Sequence, residues 1–117
     1  MTNAQEETTM DFNNYQWRTG HTAVYPPESA LEYLSLGLVS EAGEVAGKVK
    51  KIIRDNNSEM TPELNEALQA ELGDVLWYIA QMCTHLKTNM AIVAQKNVEK
   101  LAKRKQANTI QGSGDNR

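Results

Sequence analysis

The side chains of this sequence best suited to do chemistry are two pairs of acidic residues. Glu41 and Glu44 lie in the segment SEAGE, and Glu71 and Asp74 lie in the segment ELGD. Residues three apart share one face of a helix, so each pair would present two carboxylates on one side. Four carboxylates brought together would repel one another and lose hydration, which requires a compensating positive charge.

A divalent cation with oxygen ligands would supply that charge. Mg²⁺ fits best, because it keeps several waters and commonly joins protein carboxylates to substrate phosphates, and Mn²⁺ is an alternative ion. All four acidic residues are therefore predicted metal ligands. Gly43 and Gly73 lie within the two pairs. Each costs about 1 kcal/mol of helix stability relative to alanine, and its missing side chain would allow close helix approach or leave room for a ligand.

Helices must position these residues, and the apolar pattern predicts four of them. The prolines at 26, 27 and 62 divide the chain, and Thr9 and Thr61 are the predicted N-caps of the first and third helices. The predicted ranges are 10–21, 28–54, 62–89 and 90–106. No segment shows the alternation typical of a strand. The sequence therefore predicts an all-α fold.

The second and third helices form the predicted centre of the fold, because their apolar residues recur at steps of three and four. The second helix carries Leu31, Leu34, Leu38, Ala42, Val45, Val49 and Ile52, and the third carries Leu64, Leu68, Leu72, Val75, Ile79, Met82 and Leu86. Since the connection between them is short, we expect a long antiparallel hairpin within a four-helix, bundle-like domain.

Such a hairpin would bring the two acidic pairs together. Each pair lies at nearly the same rotation from its apolar stripe, and in antiparallel neighbours equal rotations fall on one face. Glu44 and Glu71 are each about 15 Å from the connecting turn, so Glu44 should lie level with Glu71 and Glu41 with Asp74. The alternative is two ordinary solvated faces, on which Glu44 pairs with Lys48.

The size and charge of the chain limit the remaining classes. A chain of 117 residues fits one domain, and a helical domain this small often completes its core with a second copy. The single cysteine, Cys83, excludes an internal disulfide framework, and the net charge of -3 argues against a nucleic-acid-binding surface. The polar N-terminus and the lack of an apolar run of about 20 residues predict a cytoplasmic protein with no signal peptide and no membrane span.

The acidic segments also resemble a known signature. The segments LVSEAGEV (38–45) and ELGDVLWY (71–78) closely resemble the ExxE and ExxD motifs of the MazG-like, all-α nucleoside triphosphate pyrophosphohydrolases, and the similarity extends from about Tyr15 to Arg104. The resemblance implies Mg-dependent hydrolysis of nucleoside or deoxynucleoside triphosphates to the monophosphate and pyrophosphate, as in nucleotide-pool control or house-cleaning. It assigns metal coordination to the four acidic residues above, in a dimer or tetramer. On this interpretation residues 1–106 form the MazG-like domain and residues 107–117 a flexible tail.

Six further residues are predicted to contact the nucleotide: Lys48, Lys51, Tyr78, Asn97, Lys100 and Arg104. The two lysines of the second helix lie on its acidic side. Tyr78 follows the second acidic pair by one turn, where its ring could stack on the base or sugar. The resemblance points to Asn97 and Lys100 in the fourth helix, and Arg104 lies on the face of Asn97 two turns later. The alternatives are a solvated basic surface for the cations and core packing for the tyrosine.

One of Glu41 or Glu44 is also predicted to be the general base that takes a proton from a metal-bound water, and the residues alone do not choose between them. The competing function is a non-enzymatic helical interaction protein whose hairpin only dimerises. That alternative explains the apolar stripes, but it gives no reason for two acidic pairs at matching positions.

Overall fold

The computed structural model describes residues 9–108 and 110–115, which form four α-helices and no strand. The helices are α1 (Phe12–Thr19), α2 (Ala30–Asp55), α3 (Pro62–His85) and α4 (Met90–Gln106), and two 3₁₀ turns, Gly20–Thr22 and Pro27–Ser29, connect α1 to α2. The all-α prediction is confirmed. Within the same residues, no helix combines the length and the apolar character needed to cross a membrane.

Short polar side chains begin three of the helices. Thr61 caps α3 by accepting the backbone N–H of Leu64, as predicted, and Asn89 caps α4 in the same way. The predicted cap of α1 was wrong. Asp11 accepts the N–H of Asn14 at 2.7 Å, so α1 begins at Phe12 and Thr9 lies outside it. Aspartate satisfies an exposed helical N–H at least as well as threonine, which explains the later start.

Left-handed backbone ends α2 and α3. Asn57 and Ser58 have φ values of 53° and 62° just after α2, and Lys87 has a φ of 58° just after α3. The reversal at Lys87 lets the N–H of Thr88 bond to the carbonyl of Cys83 at 3.0 Å. α3 therefore ends at His85 rather than at residues 88–89 as predicted, because a helix cannot continue through a left-handed residue.

Helices α2 and α3 pack along their lengths as the predicted antiparallel hairpin. Leu34 and Ile52 are buried on one side of α2. The shorter helices pack at the C-terminal end of α3: α1 contacts α3, and Met90 at the start of α4 joins the buried cluster of Ala80 and Cys83. The hairpin is thus the element that positions the acidic pairs.

The apolar stripes predicted for α2 and α3 are wider than the contact between the two helices. Leu31 and Val49 of α2 are 42% and 41% exposed, and Leu72 and Leu86 of α3 are 52% and 59% exposed. Placing these four residues in the core of the single chain was wrong. A helix in a two-helix hairpin has one neighbour along most of its length, so an apolar surface much wider than that contact stays in solvent.

Candidate metal centre and adjoining cleft

Three of the four predicted metal ligands meet across the hairpin. Glu41 of α2 and Glu71 and Asp74 of α3 each place one carboxylate oxygen within 4.8 Å of the other two. We call these three residues the acidic cluster. Glu41 and Glu71 are half-buried at the edge of the seam, while Asp74 is exposed. The hairpin therefore gathers carboxylates that are 30 residues apart in sequence, although Glu71 meets Glu41 rather than Glu44, the predicted partner.

Glu44 is the predicted ligand that the structure leaves outside this group. It is exposed, one turn beyond Glu41. Three residues along a helix correspond to a rotation of about 60° away from the starting direction, which carries Glu44 from the seam towards solvent. Its charge still acts on Glu41, so it remains near the cluster.

The acidic cluster is electrostatically incomplete. Burial raises the pKa of Glu41 above its ordinary 4.5, and the charges of Asp74, Glu71 and Glu44 raise it further, as does a hydrogen bond with Glu71. Lys48, one of the predicted substrate contacts, lies 3.6 Å from Glu71 through its ammonium nitrogen. One partly exposed ammonium faces several carboxylates, so repulsion at Glu41 persists.

The donor set suits a hard divalent cation. Carboxylate oxygens are preferred ligands of Mg²⁺, which binds oxygen at about 2.1 Å, so two oxygens on one ion lie at most about 4.2 Å apart. The 4.8 Å spread of the cluster therefore needs only a small side-chain adjustment to hold one ion.

Tyrosines flank the acidic cluster. Tyr78, predicted to contact the base or sugar, lies against Gly37 so closely that a Cβ there would fall 2.1 Å from the ring. Burial raises the pKa of Tyr78, and its neighbours Tyr33 and Glu41 raise it further. On the other side, the Tyr15 hydroxyl donates to the carbonyl of Gly73 at 3.4 Å. These phenols remain protonated donors beside the carboxylates.

The glycines within the acidic pairs, Gly43 and Gly73, leave open space beside the helix and do not mark a close contact between helices. A Cβ at Gly43 or Gly73 would meet no atom within 4 Å. The predicted close approach occurs instead at Gly37, one turn before Glu41. Of the two explanations offered from the sequence, room beside the carboxylates is the one consistent with these positions.

The remaining predicted substrate contacts lie elsewhere. Lys51 and Asn97 are exposed. Lys100 and Arg104 both contact Asp115 of the C-terminal tail, at 3.2 and 3.0 Å, and Arg104 also donates to the carbonyl of Gly114. Arg104 is buried, and together the two cations hold the pKa of Asp115 below its usual range. The structure thus brings Lys48 and Tyr78 to the acidic cluster and gathers Lys100 and Arg104 around a different carboxylate.

A cleft lies at the C-terminal end of α3, and its lining does not include the residues of the acidic cluster. Its volume is about 840 Å³, within the range of ligand pockets. The walls come from α1, the segment after it and the end of α3, and they include Gln16, Trp17, His21, Tyr25, Gln81 and His85. The sequence carried a signal for it that was missed: Asp74, Tyr78, Gln81 and His85 follow one another at steps of four, three and four, so they share one face of α3.

Aromatic contacts connect the cleft to the acidic cluster. The rings of Tyr25 and Tyr33 stack with centroids 5.4 Å apart, and Tyr33 is hydrogen-bonded to Tyr78. The indole N–H of Trp77 donates to Thr22 at 2.8 Å, which fixes the segment after α1 against α3. These contacts link Tyr25, which lines the cleft, through Tyr33 to Tyr78 beside the acidic cluster.

Comparisons with known proteins agree with the acidic motif. Residues 29–108 match the family model of the MazG nucleotide pyrophosphohydrolase domain. The chain is also similar to the gene 37 protein of Mycobacterium phage L5, with 47% identity over 114 residues that cover 92% of this chain and 100% of the phage protein. No solved structure matches the chain. The matched family range includes both acidic pairs, while α1 and Tyr25 lie before it.

Proposed function

This chain belongs to the MazG nucleotide pyrophosphohydrolase family, and on that premise we propose that it hydrolyses nucleoside or deoxynucleoside triphosphates to the monophosphate and pyrophosphate with Mg²⁺. The observation that carries the proposal is the meeting of Glu41, Glu71 and Asp74 within 4.8 Å across the hairpin. Repulsion among these side chains is useful to a protein that binds a cation there, and otherwise only costs stability.

The acidic cluster would hold the ion, which neutralises phosphate charge and lowers the pKa of a bound water when present. Glu44 stands beside the cluster without belonging to it. We therefore assign the general-base role to Glu44, since a carboxylate free of the ion can accept the proton of the attacking water. Tyr78, held against Gly37, would contact the sugar between the cluster and the cleft.

The cations of α4 are proposed to bind the distal phosphates, with Asn97 on the same surface and Lys51 on that of α2. Lys100 and Arg104 already hold one carboxylate, that of Asp115, at hydrogen-bond distance. A phosphate oxygen offers the same charge and acceptor geometry to arginine and lysine. On this proposal the substrate replaces Asp115 as their partner.

A second copy of the chain is the proposed partner of the apolar face of the hairpin. Val39 and Ile53 of α2 are 72% and 60% exposed, and Leu76 of α3 is also exposed. By helical rotation Val39 and Ile53 lie more than about 100° from Glu41, so they face away from the acidic cluster. Burying this face in a homodimer or tetramer leaves the acidic side accessible to a nucleotide.

The decisive experiment incubates the full chain with each common ribo- and deoxynucleoside triphosphate, with Mg²⁺, with Mn²⁺ or with EDTA, and identifies products by ion-exchange chromatography. We expect the monophosphate and pyrophosphate, with ¹⁸O from labelled water in the monophosphate, and no turnover in EDTA. Release of inorganic phosphate with a diphosphate would contradict the proposed bond cleavage.

Asp74→Asn and Asp55→Asn form a matched pair for this assay. Asp74 belongs to the acidic cluster, whereas Asp55 lies at the end of α2 and pairs with Arg54. We expect the first substitution to abolish turnover and the second to leave it unchanged. Absence of turnover by the unaltered chain would instead favour the non-enzymatic interaction protein.

A further inference from the structure

A chain of hydrogen bonds, which we call the polar network, crosses the cleft wall and has a fixed direction. Its first step is set at Thr19, whose hydroxyl donates to the carbonyl of Gln16 at 2.6 Å. The single proton of the Thr19 hydroxyl is used in this bond. The Thr19 oxygen therefore accepts a hydrogen bond from the Gln81 amide nitrogen, 2.8 Å away. A flipped Gln81 amide would face Thr19 with two acceptors and no proton, so its orientation is determined.

The direction carries through Gln81 to His85. With its nitrogen on Thr19, the buried Gln81 amide turns its oxygen to the Tyr25 hydroxyl, 2.6 Å away, and this oxygen can only accept. Tyr25 must therefore donate to it, and burial raises the pKa of Tyr25, which favours the protonated phenol. The Tyr25 oxygen also lies 2.6 Å from His85 Nε2. Since its proton is used, His85 Nε2 must carry the hydrogen.

This assignment fixes what the cleft offers to a ligand. A neutral histidine with its hydrogen on Nε2 has an unprotonated Nδ1, which is a hydrogen-bond acceptor. Among the described residues His85 Nδ1 has no hydrogen-bond partner, and His85 lines the cleft. The same wall carries the ring of Tyr25 and, from α1 and the segment after it, Trp17 and His21. A flat ring between aromatic walls, with a donor group at its edge, complements this surface.

We propose that the cleft holds the nucleobase and that His85 selects bases with an amino group at C4 of a pyrimidine or C6 of a purine, which donates to Nδ1. This rests on the proposed function, since Gln81 and His85 of the cleft wall share one face of α3 with Asp74 of the acidic cluster. Cytosine and adenine carry that amino group. Their oxo counterparts, uracil and hypoxanthine, would place a carbonyl lone pair against Nδ1. His85 is thus a specificity-determining residue, and Gln81, Thr19 and Tyr25 position it.

The test compares dCTP with dUTP and dATP with dITP, since each pair differs at the amino or oxo position and the adjoining ring nitrogen. We expect a kcat/KM preference for the amino member of about tenfold, the value of one neutral hydrogen bond. His85→Phe keeps a ring but removes the acceptor, so the preference should vanish. Leu86→Phe, at the adjacent exposed position, is the control and should retain it. Equal use of both members, or an unchanged preference in His85→Phe, would overturn the proposal.

A second measurement does not depend on turnover. In protein labelled with ¹⁵N-histidine, long-range ¹H–¹⁵N spectra recorded under mildly alkaline conditions should show His85 with its hydrogen on Nε2. Tyr25→Phe removes the acceptor of that hydrogen and should give a mixture of tautomers. CMP should shift the Nδ1 resonance and UMP should not.

The two measurements separate the two proposals. If no triphosphate is hydrolysed, the proposed function fails, and the spectra alone decide the base-binding proposal. A hydrogen on Nδ1 in the free protein, or equal shifts with CMP and UMP, would overturn it even when hydrolysis is observed.

Discussion

The acidic cluster and the polar network lie two turns apart on α3, and they differ in whether their polar groups have partners within the chain. In the network, Thr19, Gln81 and Tyr25 each direct a proton to an acceptor. In the cluster, three carboxylates face one another with the partial compensation of Lys48. Among the described residues, the side-chain groups of the network bond to one another except at His85 Nδ1. The cluster, by contrast, needs a cation from solution to balance its charge. Substitutions should therefore cost stability at the network and activity at the cluster.

The largest expected effect is on activity, at the cluster. Glu71→Gln removes one negative ligand and should lower kcat/KM by about 100-fold or more, while the free energy of unfolding without Mg²⁺ changes by less than about 1 kcal/mol, since the lost ion pair with Lys48 is partly exposed.

The control is Glu66→Gln, an exposed position on the same helix. It should retain both activity and stability. An active Glu71→Gln protein would remove the cluster from the catalytic site.

The next effect is on stability, at the network. Gln81→Leu preserves volume but removes the partners of Thr19 and Tyr25 in a buried position, which should lower the free energy of unfolding by about 2 kcal/mol in urea titrations.

Gln69→Leu is the matched substitution on the exposed side of α3, where a change within about 0.5 kcal/mol is expected. Equal losses from the two variants would mean that the network does not hold α1 against α3.

A third pair tests the contact that joins the two regions. Gly37→Ala would place a Cβ against the Tyr78 ring, so the ring must shift from its place beside Glu41, at a cost of about 1 to 3 kcal/mol. Gly43→Ala meets nothing within 4 Å and should stabilise the free helix by about 0.5 to 1 kcal/mol. Thermal unfolding compares the two variants, and similar shifts in the same direction would contradict the close approach at Gly37.

The two regions also differ in how far the sequence predicts them. The acidic cluster follows from helical spacing and the rotation of two neighbouring helices, quantities that depend on a few residues around Glu41 and Glu71. The network depends on how α1 packs against α3, because Thr19 and Tyr25 each bond to Gln81 from a position about 60 residues away in sequence. Helical spacing places Gln81 and His85 beside Tyr78, but it does not show what they bind.

The exposure of apolar residues that were predicted to be buried also depends on tertiary packing. The periodicity around Leu31 and Leu72 identifies an apolar side of each helix, but it does not say whether that side meets the hairpin partner, another helix of the chain or a second copy. Leu34 and Leu31 belong to the same predicted stripe, yet one is fully buried and the other is 42% exposed. Tertiary packing distinguishes them, and the apolar pattern does not encode it.

The smallest effect expected is a change in the pH dependence of stability, and it tests the incompleteness of the cluster directly. Without Mg²⁺ the pKa of Glu41 is raised above 4.5 by burial and then by the charges of Asp74, Glu71 and Glu44. The folded state therefore holds this proton more tightly than the unfolded state. The stabilisation from the protonated Glu41 is fully present below pH 4.5 and is lost as pH rises through the raised value.

Mg²⁺ should reverse that slope, because it binds the ionised carboxylates of the folded state and its stabilisation grows as they lose protons. The measurement is urea unfolding from pH 4.5 upward in EDTA and in Mg²⁺, taken as the difference between the unaltered chain and Glu41→Gln, which cannot titrate at that position. The difference should fall with pH in EDTA and rise with pH in Mg²⁺. A difference that is flat in both conditions would show that the carboxylates are already satisfied within the chain, as the polar network is, and the contrast between the two regions would disappear.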